Sequence, residues 1–243
     1  MGRRETYTVS NEWLTHRVAK GEKAARAKLV LTSDAFNTPS AQQPLVGVLR
    51  EMLNHRDGLT ALWIHDARAG WHDVAVGRGW LMDGFDELEW LCKCGCTTSS
   101  GLWINRWCEE GPAPMQLAPN LLRSHHQHYV PVEIDEVKQA IDRASVLYLP
   151  GGNPYTLLDA LRSKMGSEVW GHAQARIATG ELVLLTRSAG TIITGATVDV
   201  STERPPDWSG DPTGLQLAPA NLTFIPHYHL PHIDRLEHAK EWR

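Results

Sequence analysis

The chain has 243 residues, 42% hydrophobic and 21% charged, with a formal net charge of −4. That length supports one large domain with a buried core, and the mild acidity argues against nonspecific binding to nucleic acid or an anionic membrane. No apolar run approaches the ~18 residues of a membrane span. The polar start, MGRRETYTVSNEW, lacks the apolar core of a secretory signal, so a cytoplasmic location is expected.

Residues 1–26 are polar and basic, with Arg3, Arg4, Lys20, Lys23 and Arg26. They read as a tail or an exposed helix ahead of a single α/β domain over 27–243. Lys28 to Ser33 predicts a buried strand, and Phe36 to Pro39 a loop. Leu45, Val46, Val48, Leu49, Met52 and Leu53 recur at helical spacing, predicting an amphipathic helix from Pro44 to Leu53. A second strand covers Leu62 to His65 and ends at Asp66; a helix is expected from Trp80 to Leu91. Residues 92–123 break this rhythm. They hold the four cysteines, Cys92, Cys94, Cys96 and Cys108, and are expected to form an insertion or long surface excursion. The C-x-C-x-C spacing is tighter than the spacing of about two to four residues in structural zinc sites, so reduced thiols without metal are expected.

Gln127 to Val132 reads as a third strand, and Glu133 to Ala144 as a helix with acidic residues in its first turn. Ser145 to Leu149 is a buried strand that runs into Pro150-Gly151-Gly152-Asn153-Pro154. Helices follow over Tyr155 to Arg162 and Ser167 to Thr179. The apolar run Leu182 to Leu185 then meets a small polar turn, Thr186 to Gly190, before Ile192 and Ile193. Strands alternate with helices and are apolar throughout, which predicts a three-layer α/β sandwich around a mostly parallel sheet. In such sheets the site lies beyond the carboxyl ends of the strands, where Asp66, the glycine pair and Ser188 all fall.

A strand that stops at a serine and re-enters a helix has the pattern of a nucleophile elbow. Serine needs a base, and the base an acid that orients it. His227, at the end of a short apolar strand expected from Leu222, is the best-placed base, and Asp199, Glu203, Asp207 and Asp211 are the intervening acids. Ala189 N–H and a second donor from Gly151 or Gly152 would form an oxyanion hole. Each piece also has a bland reading: a helix-capping serine, a common glycine turn, a surface histidine. His227, His229 and His232 offer a separate metal-binding alternative.

Four segments together carry a resemblance: VLTSDAFNTP, PGGNPYTLLDAL, LLTRSAGT, and FIPHY preceded by GLQLAP. In this order they resemble the peptidase E family of serine peptidases, which includes alpha-aspartyl dipeptidases and, more distantly, cyanophycinases. The resemblance implies a flavodoxin-like, class I glutamine amidotransferase-like fold and a Ser, acid, His order. Carried over, Ser188 is the nucleophile, His227 the base and Glu203 the acid, with Asp199 in reserve. Gly152 is the second oxyanion donor beside Ala189, and Gly151 and Asn153 share its loop. The implied substrate is a small peptide, with N-terminal Asp met by Arg187, Arg204 or Arg235. No cofactor, metal, nucleic acid or membrane partner is implied.

The chain departs from the family pattern in three places. Thr186 stands where a glycine is usual and is expected to crowd the elbow. Arg187 stands where the family varies. The chain stops at Arg243, where relatives continue through further strands; an edge left open in this way would suit a homodimer. These departures also leave room for a non-catalytic member that only binds.

Overall fold

The computed structural model describes residues 27–33, 39–68, 94–102, 126–129, 134–218 and 222–226. Six strands form one sheet: β1 (Lys28–Thr32), β2 (Leu59–Ile64), β3 (Cys96–Leu102), β4 (His126–Tyr129), β5 (Val146–Leu149) and β6 (Val183–Arg187). Their order is β1-β6-β5-β2-β3-β4 and every pairing is parallel. The described helices are α1 (Pro39–Met52), α2 (Ile134–Arg143), α3 (Pro154–Arg162), α4 (Lys164–Ala178) and α5 (Ala189–Ile193). This is the expected α/β sandwich with a parallel sheet. No helix among the described residues is long and apolar enough to cross a membrane.

Strands β1, β2, β5 and β6 are apolar at consecutive positions because both faces of the sheet are covered there. On one face Leu62, Ile64, Leu147, Leu149 and Leu184 pack with Val137 and Ile141 of α2, Leu157 and Leu161 of α3, and Val169 and Ile177 of α4. On the other, Ala61, Trp63, Val146, Tyr148, Val183 and Leu185 pack with Leu49 of α1 and Leu53 just beyond it. Trp63 and Tyr148 meet edge to face at 4.9 Å between centroids, a favoured aromatic geometry. In α2, Val137, Ala140 and Ile141 are buried on one stripe, while Asp135 and Glu136 in the first turn and Arg143 in the last complement the helix dipole.

Two elements differ from expectation. Helix α1 begins at Pro39 rather than Pro44 and carries Pro44 inside it. A proline is well suited to the first helical position, where no N–H is needed, so the start moves upstream. The segment 92–123, expected to leave the fold, contributes β3, which lies between β2 and β4. Its Thr and Ser run has no apolar periodicity, so the strand is set by pairing to β2 and β4. The expected helix over 80–91, the tail 1–26 and the remainder of 92–123 lie outside the described residues.

Because β5 and β6 are parallel neighbours, with Leu149 level with Thr186, the loop after β5 and the turn after β6 emerge side by side. Helix α5 then packs directly on the end of β5. A Cβ on Gly190 would lie 2.2 Å from the Leu149 carbonyl oxygen and 2.8 Å from the Leu149 Cβ. Gly190→Ala is therefore expected to destabilise the fold by about 2 kcal/mol, lowering the thermal midpoint by roughly 4–8 °C in a calorimetric scan.

Cys94 and Cys96 are buried in the core on the face of the sheet that packs on α1. Burial, reinforced by Cys96, pushes the Cys94 pKa up to about 12 from 9.0. The folded chain thus binds a proton that the unfolded chain releases above pH 9. The resulting stability is complete below pH 9 and is lost as pH rises toward 12. Native Cys94 should resist iodoacetamide at pH 8 while the urea-unfolded chain is labelled, read by peptide mass spectrometry. Cys94→Ala should flatten the alkaline fall in stability, which one such group steepens by up to about 1.4 kcal/mol per pH unit.

Candidate active site

Ser188 joins β6 to α5 with φ 46° and ψ −107°. A non-glycine residue held there costs about 1–3 kcal/mol and persists only where its surroundings over-determine it. Ser188 makes no side-chain capping hydrogen bond to α5, so the helix-cap explanation does not hold. What holds the turn is its backbone. Ser188 N–H donates to the Thr32 carbonyl at 3.0 Å, Gly190 N–H to the Pro150 carbonyl at 3.2 Å, and Ile192 N–H to the Ser188 carbonyl at 2.9 Å. The elbow is stitched to β1 on one side and to the end of β5 on the other.

The glycine loop stands against it. A Cβ on Gly151 would lie 3.4 Å from Ser188 Cβ and 4.0 Å from Ser188 Oγ. Gly152 has φ 142°, and a Cβ there would fall 2.3 Å from the Ala67 carbonyl oxygen, so only glycine lets the loop lie on the 3-10 turn His65–Arg68. The fully buried Asp66 belongs to that same turn. Among the described residues, no loop or cap hydrogen bond uses the N–H of Gly151, Gly152 or Ala189.

Asn153 holds the glycine loop to its neighbours. Its Oδ1 accepts from Tyr155 N–H at 2.9 Å and Thr156 N–H at 3.2 Å, capping α3. Its Nδ2 donates to the Glu203 carbonyl at 2.8 Å, and its own N–H donates to the Ala67 carbonyl at 2.6 Å. It braces three segments at once. Glu203 is thereby tied beside the glycine loop through its backbone, while its side chain lies on the exposed surface. Asp199 faces Arg204 instead, at 3.5 Å.

The loop that carries both acids has little regular structure and is anchored by side chains. Tyr155 hydroxyl donates to the Ser201 carbonyl at 3.1 Å. Burial, with the nearby Asp199 carboxylate, pushes its pKa up to about 12, so it remains a donor at neutral pH. Trp208 packs edge to face on Tyr155 at 4.7 Å and donates from Nε1 to Asp159 at 2.7 Å. Arg204 lies over the Trp208 ring, 5.1 Å from its centroid. The sequence signal for Tyr155 and Trp208 is slight: an aromatic in the first turn of α3 after the glycine pair, and another just after Pro205-Pro206.

Thr186 does not crowd the elbow. It is fully buried, with its hydroxyl 2.8 Å from that of Thr191. Arg187, one of the three candidates for meeting a substrate carboxylate, is only 7% exposed at the end of β6. The segment 222–226, expected to be a strand, has no strand pairing. It packs instead on the end of α5: Ala196 N–H donates to the Leu222 carbonyl at 2.8 Å, and a Cβ on Gly195 would lie 3.3 Å from the Phe224 ring. His227 follows Pro226 directly and lies outside the described residues, as do His229, His232 and Arg235.

A groove at the opposite, amino-terminal end of the strands is lined by Lys28, Arg56, Arg176 and Glu181 among others. Its cations are committed to carbonyls at helix ends. Lys28 donates to Met52 at 2.5 Å, Arg56 to Leu53 at 3.3 Å, and Arg176 to Ile141 and Ala144. They serve as helix caps, far from the Ser188 end.

A crystal structure described as a peptidase E protein from Listeria monocytogenes EGD-e superposes with a TM-score of 0.54 at 18% identity, covering 88% of this chain and 86% of that one. At that identity the likeness is one of fold, a class I glutamine amidotransferase-like sandwich. A peptidase from an acI-B1 Actinobacterium gives a TM-score of 0.42 at 19% identity, over 70% of this chain and 56% of that one. No curated protein matches the chain. The family model of Peptidase family S51 matches residues 119–242, just over half of the sequence and the part that holds the glycine loop and the elbow. The chain therefore belongs to peptidase family S51 and is a serine-type peptidase.

Proposed function

We propose that this peptidase hydrolyses short peptides, dipeptides with N-terminal Asp among them, through an acyl-enzyme on Ser188. The observation that carries the reading is the conformation of Ser188: φ 46° at a strand–helix junction, with no capping role for its side chain. Ser188 Oγ attacks the scissile carbonyl carbon as His227 removes its proton. The oxyanion that forms is met by the N–H groups of Ala189 and Gly152, with Gly151 lining the approach. Collapse breaks the C–N bond, and the His227 proton passes to the leaving amine. Water, deprotonated by His227, then frees the acyl group.

Support for His227 comes from its attachment to 222–226, which packs on the helix that Ser188 begins. Support for Glu203 as the acid comes from its brace: Asn153 holds its peptide beside the glycine loop, whereas the Asp199 carboxylate faces Arg204. Arg204, stacked on Trp208 at the rim and half exposed, is a better candidate than the buried Arg187 for meeting a substrate carboxylate. The small-peptide class also fits a cytoplasmic enzyme that finishes peptide degradation.

Ser188→Ala should lower hydrolysis of Asp-Xaa dipeptides by about 10³-fold or more and abolish labelling by a fluorophosphonate probe. Unchanged turnover in Ser188→Ala sinks the reading. Glu203→Gln should cost on the order of 10²-fold or more in kcat, and Asp199→Asn only a few-fold; the reverse ranking assigns the acid to Asp199. Arg204→Ala should raise KM for Asp-Xaa more than for Ala-Xaa dipeptides, measured by amine release.

A further inference from the structure

Behind Ser188, on the side away from the glycine loop, three buried threonine hydroxyls close a ring around the elbow. Thr32, Thr186 and Thr191 are 7%, 0% and 5% exposed. Thr32 Oγ1 donates to the Thr186 carbonyl at 2.7 Å. Thr191 Oγ1 donates to the Thr32 carbonyl at 2.6 Å. Thr186 Oγ1 and Thr191 Oγ1 are 2.8 Å apart. A threonine hydroxyl has one proton. That of Thr191 is used on the Thr32 carbonyl, so Thr186 must be the donor to Thr191. Every proton in the ring has one assigned direction.

The Thr32 carbonyl is the junction. It accepts the Thr191 hydroxyl and also the Ser188 N–H. Thr191 lies in the first turn of α5, three residues beyond Ser188. The ring therefore ties the residues on both sides of Ser188 to the end of β1. A residue at positive φ relaxes unless its flanks are held, and here the flanks are held by the hydroxyls of buried threonines.

We propose that Thr191 is a positioning residue for Ser188: its hydroxyl, oriented by Thr186, locks the elbow in the conformation that presents Oγ for attack. This rests on Ser188 being the nucleophile. Thr186, fully buried, donates to the Thr191 hydroxyl and completes the ring.

The test compares wild type, Thr191→Val, Thr191→Ser and Thr186→Val by the rate of fluorophosphonate labelling and by kcat and KM on a dipeptide, with the thermal midpoint of each. Thr191→Val keeps the shape and removes the hydroxyl. It should slow labelling and kcat on the order of 10- to 100-fold with KM unchanged. Thr191→Ser restores the hydroxyl and should label within about three-fold of wild type. Thr186→Val, which leaves the Thr191–Thr32 bond, should fall between them, and it decides the matter if Thr191→Val does not fold. Labelling of the valine variants at the wild-type rate, or of Thr191→Ser as slowly as Thr191→Val, overturns the proposal alone. Wild-type protein that does not label overturns the nucleophile reading and this inference with it.

Discussion

The Thr32 carbonyl oxygen is the point on which the site depends. It receives the Ser188 N–H and the Thr191 hydroxyl from either side of a residue whose backbone would otherwise relax. A positive φ at a serine is unfavourable by itself. It becomes the native conformation only because β1 lies beside β6 with Thr32 level with Arg187. The neighbouring strand supplies the acceptor at the height where the turn begins. On the other flank the absence of a side chain at Gly190 lets α5 settle on the end of β5. The strain at Ser188 is thus distributed over two strands and one helix.

The surroundings of the elbow are held by a second device, side chains that reach across loops. The chain after α5 has one isolated bridge, between Thr197 and Thr213, and no regular strand among its described residues. Its backbone polar groups are met by Asn153, Tyr155, Arg162 and Thr197. An irregular segment can be ordered in this way when each buried backbone group finds a partner. Asn153 matters most, since one amide caps a helix and fixes the Glu203 peptide. The arrangement leaves the acid-bearing loop free to differ in side chains while its path is set by helix α3.

Much of this could be read in advance. Fully apolar strands alternating with helices required a covered parallel sheet, and the glycine pair and Ser188 had to emerge at its carboxyl edge. Strand β3 could not be read, because Cys96–Leu102 has neither alternation nor a run of large apolar residues; its neighbours in the sheet define it. The apolar stretch ending at Pro226 looked like a strand, yet it packs on Gly195 and Ala196 without joining the sheet. Composition marks apolar segments for burial but does not choose between a strand pairing and a packed coil.

What the sequence by itself determined was the class of fold, the order of its elements and the serine around which a site would form, since these follow from local pattern and from glycines that only tight turns require. What only the tertiary structure decided was which neighbours each residue meets. Thr186 looked like an intrusion and is a buried hydrogen-bond donor; Arg187, a candidate for meeting the substrate, is buried; Asn153, placed in the glycine loop, also braces the Glu203 peptide. Asn153 reaches the Glu203 peptide 50 residues away, and Thr191, the partner of Thr186, reaches the Thr32 carbonyl 159 residues away. Pairings at that separation come from strand order and helix packing, and no window of local sequence contains them.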